Sequence, residues 1–292
     1  YDIHESLDVP VHVEFGAPVA GFGDGTASSG NRQFGVYIQD DWEVNDKLTV
    51  NLGVRWDYEQ TPAYEDYVTP AEVVTALRAS NATLPGSSID VEDYISTGSN
   101  RKADKDNWAP RLGFSYDFFG DQRHVLFGGA GRSYDRNLFD YLQNERSKAS
   151  WGQYVYDFNT PAHPCDTATA ATCREWDPRY LDPEFLRASS VAGSREVFLN
   201  SNDLEVPYSD QFSLGIRNTW EVAGHDWSTE LTASYVRSHD GIAFVLGNRR
   251  DDGSFFPSDP PGATDPPPWG IGFAPFSNLI LAQNALETRT RS

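Results

Sequence analysis

From Gln33 to Glu59 the chain reads QFGVYIQDDWEVNDKLTVNLGVRWDYE, two alternating runs joined at Asn45-Asp46. In the first run Phe34, Val36, Ile38, Trp42 and Val44 hold the even positions, interrupted by Asp40, and Gly35, Tyr37, Gln39, Asp41 and Glu43 hold the odd ones. In the second, Leu48, Val50, Leu52, Val54, Trp56 and Tyr58 alternate with Thr49, Asn51, Gly53, Arg55 and Asp57. A period of two, kept for about ten residues a side, sets one apolar face against one polar face. A membrane-crossing strand needs roughly 9–11 residues of this pattern.

The pattern recurs twice. Trp108, Leu112, Phe114, Tyr116 and Phe118 alternate with Arg111, Gly113, Ser115 and Asp117; a turn over 119–122 leads into the glycine-rich run 123–132. Phe212, Leu214, Ile216, Trp220 and Val222 then alternate with Ser213, Gly215, Arg217 and Glu221, and the turn 223–226 leads into Trp227, Leu231, Ala233 and Tyr235. Strands are expected at about 33–44, 47–59, 107–118, 123–132, 207–222 and 227–237. The short turns fall at one end, and the long insertions 60–106, 133–206 and 238–292 at the other, the asymmetry of outer-membrane barrels. Aromatics collect at both ends of the apolar face. Trp42, Tyr116, Phe118, Trp220 and Trp227 lie by the short turns, and Trp56, Tyr58 and Trp108 by the long loops. Leu48 to Tyr58, tilted about 45°, spans roughly 25 Å, the height of a barrel's apolar band. A soluble sandwich or propeller explains the alternation, but its strands average about 5–6 residues and carry no such girdles.

Composition agrees with an all-β membrane architecture: 13% aromatic residues, 8 Trp and 24 Gly, with no apolar run long enough for a spanning helix. The formal charge of −20 excludes a nucleic-acid partner, which demands a basic surface. Cys165 and Cys173 stand in a polar stretch where a local disulfide is favoured over a metal site, for which only His163 and Asp166 are at hand. Helices are expected after Thr69-Pro70, where Thr69 caps and Glu72 reaches back, over 137–148, and from Asp182-Pro183. Residues 1–30 read as glycine-rich loop and everything from Ser238 as loop. No nucleophile elbow, zinc-protease helix or paired-carboxylate constellation points to a hydrolase. No metal site, cofactor or catalytic residue is assigned.

The segments FGVYIQDDWEVNDKLTVNLGVRWDYEQTP, NWAPRLGFSYDFFGDQRHVLFGGAGRSYDR and PYSDQFSLGIRNTWEV, in this order, resemble the hairpins of TonB-dependent outer-membrane receptors, most of all the Oar-like subgroup. The resemblance covers the strands between about Gln33 and Arg237. It implies a barrel of about 22 strands in the outer membrane of a Gram-negative bacterium, an N-terminal plug, and energy drawn from the inner membrane through the TonB protein. This chain holds about six of those strands, without plug or coupling box, and reads as an internal fragment of one barrel domain. Its expected partners are the lipid bilayer with its lipopolysaccharide, and a scarce nutrient (metal chelate, peptide or glycan piece) held by the outer loops. An adhesion or assembly protein whose loops bind a partner is the alternative. Arg55, Asp57, Arg111, Asp117, Arg217 and Glu221 are the lumen-facing candidates.

Overall fold

A computed structural model of the chain describes residues 2–6, 9–19, 26–81, 89–136, 139–161, 163–189, 195–247 and 276–292. Its strands are β1 (Asp2–Ser6), β2 (Val9–Pro18), β3 (Arg32–Asn45), β4 (Leu48–Gln60), β5 (Trp108–Asp117), β6 (His124–Tyr134), β7 (Trp151–Asn159), β8 (Cys173–Glu175), β9 (Arg195–Asn200), β10 (Tyr208–Val222), β11 (His225–Leu246) and β12 (Phe276–Arg291). Its helices are α1 (Pro62–Glu65), α2 (Ala71–Asn81), α3 (Phe139–Ser147) and α4 (Pro183–Ala188). The main sheet has eight strands in the order β3-β4-β5-β6-β10-β11-β12-β9, and a smaller one runs β1-β2-β7-β8. From β3 to β12 every pairing is antiparallel and joins consecutive or near-consecutive strands, while β9 closes the edge in parallel to β12. The sheet is open, an arc of barrel wall.

Turn chemistry fixes the three hairpins. Asn45 Oδ1 accepts from the amides of Lys47 (2.9 Å) and Leu48 (3.1 Å). The Asp117 carboxylate accepts from the amides of Phe119, Gly120 and Gln122 at 3.2, 3.0 and 2.7 Å. Ala223 and Gly224 both adopt positive φ, 54° and 75°, the twist that suits a two-residue hairpin turn.

The wall itself has no core. Every residue of β3 is exposed, including Ile38 at 72%, and Leu231 on β11 is 74% exposed. An apolar face this large, left bare, requires a non-aqueous neighbour. The buried cores lie instead in the insertions. Val73, Leu77, Tyr94 and Ile95 pack on Val197, Leu199, Leu279 and Leu281, and next to them Tyr64, Tyr141 and Leu142 pack on Phe198 and Ala282. Strands β9 and β12 therefore carry the outer structure on the end of the wall.

Several expectations are corrected. Residues 238–292 are not loop throughout: β11 runs nine residues past Arg237 to Leu246, and β12 pairs with it. A bulge between Ser238 and Gly241, with Asp240 at φ 55°, shifts the alternation by a phase and hides the continuation. The insertion 133–206 contains β7, β8 and β9, and the segment 1–30 contributes β1 and β2, since β2 pairs with β7. Thr69 does not cap α2; its Oγ1 accepts from the Ser96 amide at 2.9 Å, and Glu72 binds Arg195 at 2.7 Å instead of reaching back. Both groups are engaged by tertiary partners in place of the local cap. The glycine run Gly21 to Gly25, Leu138 and Trp269 lie outside the described residues.

Candidate functional site: the two faces of the wall and its outer mouth

Register assigns each residue to a face, because directly paired residues in an antiparallel sheet point to the same side. One row reads Leu48, Tyr116, Leu126, Ile216, Leu231, and another Asp40, Leu52, Leu112, Ala130, Phe212, Tyr235. All lie on the apolar face. Trp56, Tyr58 and Trp108 cluster on it at the outer end, with Trp56 stacked on Tyr58 at 6.1 Å and 6.2 Å from Trp108. Trp56 Nε1 donates to the Lys105 carbonyl at 2.8 Å, which pins this aromatic group where the strand enters the insertion. At the short-turn end Tyr116 meets Phe118 edge-on at 5.3 Å, Trp220 pairs with Trp227, and Trp42 stands opposite Val50. Asp40 sits among apolar neighbours opposite Leu52, on the edge strand of the sheet.

The other face is polar and rich in small residues along its middle. Its rows include Asp41, Asn51, Gly113, Gly129, Ser213, Ser234, and Gln39, Gly53, Arg111, Gly131, Gln211, Val236. A trough of about 620 Å³ follows the small residues, with Arg111, Gln39, Asn51 and Gln211 on its rim. Gly129 is required there: a Cβ would stand 2.9 Å from the Leu112 carbonyl oxygen, a backbone atom that cannot yield. Asn51 donates to Asp41 at 2.6 Å, and Arg217 binds Glu230 at 3.0 and 2.9 Å.

The structure spreads the six polar candidates along this face. Arg55 and Asp57 are the pair it brings together, Arg55 Nε donating at 2.9 and 2.7 Å to the two carboxylate oxygens. They edge a recess of about 380 Å³ at the outer mouth, shared with Arg111, Ser133 and Arg136. Asp117 spends its carboxylate on the turn, and Glu221 stands opposite Asp226 beside the last turn.

Above the wall, the insertions close on a buried ion pair that no local sequence signal marks. Arg101 Nη1 and Nη2 donate to the Glu145 carboxylate, each at 2.7 Å, and both side chains are fully buried. Arg101 also donates to the Asn200 carbonyl (2.6 Å) and Asn202 Oδ1 (2.9 Å), and its guanidinium lies 4.6 Å from the Tyr64 ring centroid. Glu145 accepts from the Asn200 amide at 2.8 Å. Burial pushes the Tyr64 hydroxyl up to about 12, so it stays a neutral donor, here to the Ser201 carbonyl at 2.7 Å. The mouth beside this knot is acidic: burial raises Glu205, and the charges of Asp240, Asp104, Asp106 and Asp203 raise it further.

The smaller sheet is stapled. Cys165 and Cys173 form a disulfide, Cα–Cα 5.9 Å. Next to it Phe158 packs edge-on against Trp176 at 5.0 Å, and Tyr156, Tyr180 and Leu186 complete a small core. Among the described residues, no group of three or more metal-ligating side chains converges.

Long strands with one bare apolar face, aromatic clusters at both of its ends and short turns on one side define an arc of outer-membrane β-barrel. The profile of the outer membrane beta barrel domain family matches residues 16–241, and the chain belongs to that family, in the outer membrane of a Gram-negative bacterium. It is 26% identical over 249 residues to the TonB-dependent transporter Oar of Myxococcus xanthus, covering 78% of this chain and 19% of that protein. Among solved structures it resembles the outer membrane transporter YddB of Escherichia coli (TM-score 0.46, 15% identity, 89% of this chain and 20% of that one). It also resembles the siderophore receptor PirA of Pseudomonas aeruginosa (TM-score 0.40, 12% identity, 89% and 30%). The chain thus spans about a fifth of the length of its curated relative.

Proposed function

We propose that this chain is part of the wall and outer mouth of a TonB-dependent transporter, not an enzyme, which binds a scarce nutrient at its outer loops and imports it with inner-membrane energy. The observation that carries this reading is the division of one sheet into a bare apolar face and a polar face of glycine, serine, asparagine and glutamine. The polar face is the lumenal one in this reading. Its small residues leave room for a plug to seat and slide, while Arg55, Asp57, Arg111, Arg217 and Glu221 supply fixed charge along the path. The aromatics Trp42, Trp56, Tyr58, Trp108, Tyr116, Phe118, Trp220 and Trp227 mark the two bilayer interfaces. Residues 1–292 then form part of one barrel domain.

Uptake by cells tests the reading. Deleting the gene is expected to abolish growth on one scarce nutrient, and removing TonB from cells that keep the gene is expected to give the same defect. Uptake that survives both deletions, with loss of surface attachment, would replace transport by adhesion.

A further inference from the structure

The apolar face changes character towards its outer end. One cross-strand row there reads Arg132, Asp210, Arg237, Arg289 on β6, β10, β11 and β12. The next row inward is Ala130, Phe212, Tyr235, Arg291. Four arginines therefore stand on the side of the sheet that meets lipid, in a chain whose net charge is −20. Counted from the Ala223-Gly224 turn along a strand tilted about 45°, Arg237 lies roughly 30 Å up, just past an apolar band about 25 Å tall. That is headgroup depth in the outer leaflet.

The local carboxylates do not balance these charges. Arg132 binds Asp210 at 2.8 and 3.0 Å and lies 4.1 Å from the Tyr208 ring centroid. Arg237 Nη2 donates to Glu287 at 3.2 Å, but its buried Nε has no acceptor among the described residues. His239 stands 3.7 Å from Asp210 and 3.9 Å from Glu287, so it competes for the same two acids. Arg289 is exposed directly opposite Arg237, a like-charge cross-strand pair that repels unless an anion lies between. Among the described residues neither Arg289 nor Arg291 has an ion pair; Arg291 lies 5.7 Å from the Tyr235 centroid. Inward of the arginines the face is hollowed into a trough of about 830 Å³, walled by Phe114, Leu112, Phe212 and Leu214 and floored by Ala130, with Arg291 at its edge.

We propose that Arg237, Arg289 and Arg291 bind the phosphate of a phosphorylated glycolipid of the outer leaflet, with one of its acyl chains in the trough over Ala130. A phosphate brings several acceptor oxygens, enough to satisfy the Arg237 Nε and to separate Arg237 from Arg289. The inference rests on the membrane orientation of the apolar face used in the proposed function, and not on transport.

The test extracts the protein from outer membranes in mild detergent and measures bound phosphoglycolipid by native mass spectrometry and phosphorus assay. The wild type is expected to retain it. The Arg237→Ser/Arg289→Ser/Arg291→Ser variant should lose affinity on the order of 100-fold, and lysine at the same three positions should keep most of it. If the triple serine variant fails to assemble, Arg289→Ser alone carries the test, since its side chain has no ion pair to lose, and a roughly fivefold loss is expected. Unchanged retention in whichever serine variant assembles overturns the proposal. So does equal retention of the same glycolipid stripped of phosphate, and so does binding of inorganic phosphate by delipidated protein that is not displaced by the glycolipid. A lipid-soluble quencher on a probe at Ala130→Cys separates the two claims. A probe there that is shielded from lipid sinks the orientation, whereas a quenched probe with unchanged retention sinks the lipid site alone.

Discussion

At the scale of single residues, the outer structure depends on one buried pair. Arg101 and Glu145 are both fully buried, and their attraction offsets a large desolvation cost only because further hydrogen bonds complete each group. Glu145→Ala would leave the Arg101 guanidinium buried without its anion and should cost about 3–5 kcal/mol. Because the pair joins the segment around Arg101, α3 and the end of β9, the loss should appear as rapid proteolysis of the insertions, with the wall still inserted. Protection equal to wild type would show that the knot is not what holds the insertions together. Glu205 makes the opposite case. Its carboxyl is held above the ordinary range, first by burial and then by Asp240, Asp104, Asp106 and Asp203, so its ionised form is the destabilising one in the folded mouth. Its contribution is most favourable below the unfolded value of about 4.3 and is lost as pH rises through the higher folded value. Glu205→Gln should therefore resist local unfolding better than wild type at neutral pH, with the gain vanishing below pH about 4. Hydrogen exchange at the mouth across that range reads the difference; a gain independent of pH would exclude the charge argument.

Individual elements were legible in the sequence to the extent that a single environment acted on them. β3, β4, β5 and β10 each carry one apolar face and one polar face over their length, and a period of two states that directly. β12 breaks the rule. Its first half packs Leu279 and Leu281 into the outer core, while its second half puts Glu287, Arg289 and Arg291 on the face that is apolar in neighbouring strands and Thr288 and Thr290 on the other, so no apolar period survives. β7 and β9 are legible only in hindsight, because their partners β2 and β12 lie far away in sequence and the pairing supplies what local pattern does not, and β8, three residues long, is too short to show a period. The polar candidates were placed on their face by alternation, but alternation says nothing of partners. Arg217 met Glu230 across the sheet, and Asp117 met the amides of its own turn. The disulfide was readable because the two cysteines share one short polar segment. It closes a small loop, which the chain-entropy account values at about 2–3 kcal/mol. The variant Cys165→Ser/Cys173→Ser should lose the β7–β8 pairing in thermal proteolysis, leaving the main sheet as resistant as before. Loss of both sheets together would mean that the two are one cooperative unit.

For the whole molecule, strand length and bilayer thickness set the architecture. A tilted strand climbs about 2.3 Å per residue, so an apolar band of about 25 Å takes up roughly 11 residues. β4 and β5 are near that length, with 13 and 10 residues, and end close to the outer aromatics. β11 has 22 residues, about twice the requirement, and β12 follows it. Their upper halves must therefore stand outside the bilayer, and this is where Val245 and Leu279 enter the outer core. The bulge between Ser238 and Gly241 lies at the changeover, where the neighbour of the strand switches from lipid to protein. The consequence is a position-dependent pattern along a single strand. Single cysteines on the apolar face of β11 at Trp227, Leu231 and Tyr235, labelled with a fluorophore in reconstituted vesicles, should be quenched by lipid-borne spin labels with a period of two, while Thr232 and Ser234 should not. Past the bulge, Ile242 and Phe244 should escape the lipid quencher, since Ile242 packs beside the buried cluster of Tyr64, Tyr141 and Phe198 and Phe244 lies 5.6 Å from Phe198. Lipid quenching that persists with the same period through Phe244 would place the whole of β11 in the membrane and overturn the division between wall and outer structure.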